Sequence, residues 1–127
     1  MASPQMTQNA YGNVAASVPI GPGSVSANYM LDFSTKLEGQ LQVDLLSGSA
    51  VTSGAVATIN IFRVVGSSGT VDTVPMAAFS QALALVGAHA IRSVCLATGR
   101  YQAQVLNGDS ANGITLSLTT STVDGLV

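Results

Sequence analysis

Apolar and polar residues alternate along much of this chain, and a period of two predicts strands with one face toward a core. Between residues 37 and 46, Leu37, Leu41, Val43 and Leu45 fall on one side, while Glu38, Gln40, Gln42 and Asp44 fall on the other. Gly39 weakens that run and predicts a bulge. Segment 55–65 is β-prone, with Ile59, Ile61 and Arg63 opposite Thr58, Asn60 and Phe62, a mixed pattern that predicts cover on both sides. Segment 26–34 is rich in aromatic and large apolar residues, segment 90–96 alternates, and Ile114, Leu116 and Leu118 alternate with Thr115, Ser117 and Thr119. Turns are signalled by the Gly and Ser of 47–54, by 66–69, and by Asn107-Gly108 and Asn112-Gly113.

One segment breaks the alternation. Phe79, Leu83, Val86 and Ala90 recur at helical spacing in an alanine-rich stretch after Pro75, which predicts a short helical turn within 76–91. The same residues would otherwise make two short strands broken at Gly87. The strongest local signal is Leu96 to Val105, where a tight turn at Thr98-Gly99 precedes Tyr101, Ala103 and Val105 on one face. A tyrosine so placed predicts a tyrosine corner, its ring in the core and its hydroxyl bonded back to the connecting backbone. Six to eight short strands with turns between them predict an all-β, antiparallel β-sandwich, immunoglobulin-like or jelly-roll, with Greek-key connections.

Residues 1–24 read differently from 25–127. They hold Pro4, Pro19 and Pro22 and no sustained period, so the expectation is an extended N-terminal arm ahead of a β-sandwich domain. Met6, Tyr11, Val14, Val18 and Ile20 are spaced as apolar anchors for a partner, on a segment with no charge before Asp32.

Composition sharpens this picture. At 127 residues there is room for one domain. Charged residues make up 8% of the chain, where about 25% is usual. A surface so short of charge suits a protein packed against others, in a homo-oligomer or a larger assembly. The four cations, Lys36, Arg63, Arg92 and Arg100, are scattered, so neither nucleic acid nor a membrane surface is expected as a partner. Cys95 cannot make an intrachain disulfide, and the start of the sequence lacks the pattern of a signal peptide, so folding in a reducing cytoplasm is expected.

Candidate chemistry is sparse. His89 with Cys95, or with an aspartate, is the pairing a small hydrolase would use, and catalytic thiols need an activating cation or helix terminus. Asn107, Asp109 and Asn112 could offer oxygens to calcium, but the carboxylate cluster and closing glutamate of a calcium loop are missing. The expectation is a protein with no catalytic residues, metal site or cofactor.

From Leu96 to Ile114, with Gly99, Tyr101, Val105, Asn107 and Asp109, the chain resembles the late strands of β-sandwich structural proteins of tailed-phage virions, head decoration (cement) proteins among them. That resemblance implies a non-enzymatic subunit, made in the host cytoplasm and residing in the virion. It would stabilise the major capsid protein lattice, often as a trimer. A fibre, neck or tail component, or an extracellular adhesion or carbohydrate-binding module, are the alternatives.

Overall fold

The computed structural model of the chain describes residues 6–8, 12–47, 51–65 and 70–126. They form eight antiparallel strands: β1 (Met6–Gln8), β2 (Gly12–Ile20), β3 (Tyr29–Ser47), β4 (Val56–Val65), β5 (Thr70–Val71), β6 (Ala77–Ala82), β7 (His89–Asn107) and β8 (Ile114–Leu126). Their pairings are nested. β2 pairs with β8, residues 29–33 of β3 with 99–103 of β7, residues 38–46 with 89–97, and β4 with β6. Residues 38–47 also pair with β8, and residues 101–107 with β4.

A long hairpin rolled up in this way gives two layers. One holds β2, β8, 38–47 and 89–97; the other holds 29–33, 99–107, β4 and β6, with β5 beside the end of β4. This is the jelly-roll member of the expected pair of sandwich topologies. β3 and β7 belong to both layers and turn the corner between them. Strands that switch layers do so at bends or bulges, and here the register slips between Phe33 and Glu38 opposite Thr98.

Sequence chemistry explains the corner. Asp32 accepts hydrogen bonds from the Ser34 hydroxyl (2.6 Å) and Ser34 N–H (3.0 Å), turning the backbone locally. The Thr98 hydroxyl donates to the Phe33 carbonyl at 3.0 Å, and Lys36 reaches Asp124 on β8 at 2.7 Å. On β7 the bend falls at Gly99, whose φ of 143° disfavours any side chain. β7 therefore runs continuously where the sequence suggests a turn between strands, and Gly39 lies in an unbroken register next to the slip. Gly39 is needed for space, because a Cβ there would overlap the Phe33 ring folded across it.

Both layers face one core. Leu41, Val43 and Leu45 from one layer meet Ile59, Ile61, Ala103 and Val105 from the other, all fully buried, with Leu116 and Leu118 of β8. Thr58, Asn60 and Phe62 on the far side of β4 are half-buried, so that strand has one core face instead of the two its mixed pattern suggests.

No helical turn forms in 76–91. Residues 77–82 are a strand, and a turn closed by the Ala88 N–H bond to the Leu85 carbonyl leads into β7. Pairing with β4 overrides the helix propensity of the alanines, and places Ala77 and Phe79 against the core. Gly87, at φ 76°, makes the break that the two-strand reading requires.

Candidate functional site

The five expected anchors of the N-terminal segment fall in different places. Residues 12–20 are not a free arm but an edge strand, paired with β8 of the same chain. Ile20 is 3% exposed, so its side chain is already committed to this domain's core, and Val14 and Val18 pack against the same core from the rim. Met6 lies in β1, paired with Leu126, and Tyr11 falls outside the described residues. Apolar spacing did mark a docking strand, but the strand docks on its own β8.

Tyr101 behaves as a corner residue. It is buried, its hydroxyl donates to the Ala97 carbonyl at 2.9 Å, and its ring meets Phe33 at 6.3 Å between centroids. It lies within β7, past the Gly99 bend, and ties the two halves of that strand together.

The residues with chemical potential do not converge. His89 and Cys95 are six positions apart on one extended strand, a separation of about 20 Å. His89 Nδ1 instead lies 2.7 Å from Asp44 Oδ1 on the exposed face of β3. Ser117, opposite Asp44 on β8, is on the far side of β3 from His89, and its hydroxyl oxygen accepts from the Ser17 N–H at 3.1 Å. This is a hydrogen-bonded pair on a sheet face, and among the described residues no nucleophilic side chain bonds to His89. The Cys95 thiol, on the exposed face of β7, is pushed up by partial desolvation against the sheet and then by the neighbouring Glu38, the reverse of the activation a nucleophilic thiol needs.

Asp109 and its neighbours form a structural knot. Asp109, 1% exposed, accepts from the Thr52 N–H (2.9 Å) and hydroxyl (2.8 Å), the Ala111 N–H (2.9 Å), the Asn112 N–H (3.1 Å) and the Asn112 amide (3.2 Å). Those donors hold its carboxyl well below the usual carboxylate range, the Thr52 and Ala111 backbone bonds first. The Asn107 amide donates to the Gly21 and Asn112 carbonyls at 3.1 and 2.8 Å, and its oxygen accepts from the Asp109 N–H. These oxygens are taken up by donors from the loops at 51–55 and 108–113, so an ion would have to displace that whole set.

What is left is surface, and one strip stands out. β6 is a terminal strand of the sheet and, among the described residues, pairs only on its β4 side. No Asp, Glu, Lys or Arg occurs from Thr73 to Ile91. Val74 (72% exposed), Met76, Leu85 (83% exposed) and Val86 flank the strand in solvent. Proteins usually blunt such edges with charge, proline or bulges. β2 is blunted, with two register slips, Ser17 at φ 50° and Pro19. Residues 89–97 carry Arg92, whose guanidinium lies 4.6 Å from the Phe79 ring centroid and spans the gap between the layers. Residues 77–82 have no proline and no slip in their register with β4. Sequence reading missed this edge because the helical spacing of 76–91 concealed a strand.

No protein-family model matches the chain, and no curated protein matches it. Among solved structures it is similar to a protein of Bacillus endospore appendages, described as a novel family of disulfide-linked pili. That match has 13% identity and a TM-score of 0.47, and covers 98% of this chain and 93% of that one. It is also similar to the Yersinia pseudotuberculosis-derived mitogen, at 14% identity and a TM-score of 0.42, covering 95% of this chain and 87% of that one.

Proposed function

We propose that this protein is a non-enzymatic structural subunit that works by packing against other protein in a repeated assembly. The finer form of the proposal is a virion component of the capsid-decoration type, which the resemblance of residues 96–114 implies. The observation that carries the reading is the uncharged, unblunted edge at β6 with exposed Val74, Met76, Leu85 and Val86 around it. Exposed apolar patches rimmed by polar surface mark protein contact sites. A chain with 8% charge has little else to keep copies apart. Jelly rolls host many unrelated activities, so it is the surface and not the fold that favours this role.

In a lattice, each copy adds apolar burial at roughly 25 cal/mol per Å², and repetition makes modest contacts hard to undo. Deleting the gene tests this. Particles or fibres from the deletion strain should still assemble but come apart at lower temperature or under milder denaturant, and adding the purified protein back should restore them. Assemblies equally robust without the chain would overturn the proposal.

A further inference from the structure

We infer that β6 pairs antiparallel with β6 of a second copy, across a two-fold axis at Ser80, and so extends one sheet layer through two subunits. The inference rests on the structural-subunit reading and names the partner of its principal surface.

The backbone fixes which groups are on offer. Leu83 N–H bonds to the Ala55 carbonyl, and the register continues unbroken from Val56↔Ala82 to Ile61↔Ala77. In an antiparallel ladder, hydrogen-bonded positions alternate along each strand. Residues 77, 79, 81 and 83 therefore turn their N–H and C=O groups to β4, and Ala78, Ser80 and Ala82 turn theirs to the open side. The Gln81 side-chain amide donates to the Ala82 carbonyl at 3.2 Å, a stand-in for a missing strand at an oxygen that β4 does not reach.

A partner strand must hydrogen-bond through 78, 80 and 82. A second copy can do so symmetrically if Ser80 opposes Ser80 and Ala78 opposes Ala82, which makes about six backbone bonds. The side chains at these three positions are small and exposed, so no bulk prevents approach.

The flanks point to the same partner. In that register the strand's leading end meets the trailing end of its copy, so the segment with exposed Val74 and Met76 of one subunit comes beside the turn with exposed Leu85 and Val86 of the other. Exposed apolar residues occur at both ends of β6, as a self-pairing edge requires. Charge agrees as well. The chain is acidic overall, with a net charge of −2, yet Thr73–Ala88 contains no acidic or basic residue and His89 beyond it is bonded to Asp44, so two copies meet along β6 without like-charge repulsion. A two-fold contact of this kind is isologous and closes on itself.

Charge placement across the axis tests the register. Ala78→Lys with Ala82→Lys puts lysine opposite lysine, while Ala78→Lys with Ala82→Glu puts lysine opposite glutamate; within one chain the two positions lie about 13 Å apart. Light scattering over a concentration series should give twice the chain mass for the wild type and the Lys/Glu variant, and the single-chain mass for the Lys/Lys variant. Hydrogen exchange on the wild type covers the case where variants misfold: the amides of 78, 80 and 82 should be slow at high concentration and fast on dilution. A wild type with the single-chain mass throughout, equal masses for both variants, or fast exchange at these three amides at every concentration would overturn the pairing. A chain that is monomeric yet still stabilises particles would leave the structural role standing; a dimer absent from every assembly would do the reverse.

Discussion

Individual residues at the corner decide whether the strands can roll. Gly39→Ala places a methyl group into the Phe33 ring, and overpacking of this kind costs about 1–3 kcal/mol. Denaturant unfolding should show that loss, and Phe33→Leu in the same chain should recover part of it, because neighbours in contact are not additive. Tyr101→Phe removes the bond to the Ala97 carbonyl and should cost about 0.5–1.5 kcal/mol by the same measurement. Tyr101 was legible in the sequence because a turn glycine followed by an inward tyrosine has few other uses. Gly39 was not, because the ring it accommodates is six residues away and folds back only through the bulge. Asp109 sets the acid limit. Its carboxyl is held below the ordinary value of 3.8, so its contribution is complete above that pH and fades as pH falls beneath it. Thermal scans from neutral to acid pH should show stability dropping below about pH 4, and Asp109→Asn should flatten that fall while lowering stability at neutral pH.

At the scale of elements, alternation read the central strands well and the edges poorly. The middle stretches of β3, β4 and β8 turn one face to the core, so period two survives in Leu41, Val43 and Leu45, in Ile59 and Ile61, and in Leu116 and Leu118, while Leu37 and Arg63 at the ends of their patterns are exposed. Edge strands face the core less completely. β6 alternates only between half-buried and exposed, which left its alanines free to mimic a helix. β2 has two register slips, so its pattern looked like an unstructured arm. Treating 12–20 as a strand of the domain has a consequence for truncation. Removing residues 1–24 should unfold the domain, because it strips β8 of an edge and exposes the pocket of Ile20. Ile20→Ala alone should cost about 2–4 kcal/mol. Circular dichroism of the truncated chain checks this, and a native spectrum with unchanged melting would show that β2 is dispensable.

For the whole molecule, burial and charge are distributed so that chemistry is dispersed and contact surface is concentrated. His89, Cys95 and Asp109 each have a local structural partner, and no two of them share a site. The two most exposed large apolar residues, Val74 and Leu85, flank β6 with Met76 and Val86, while Val25, Met30, Leu37 and Val65 are scattered over other elements. Quantitative mass spectrometry of purified particles and fibres from the source decides whether the chain is a component of a repeated protein assembly. The chain should be present there at a fixed copy number relative to the main shell or filament protein, unchanged through successive purification steps. A copy number that falls toward zero with each step, with the chain recovered alone in the soluble fraction, would contradict it.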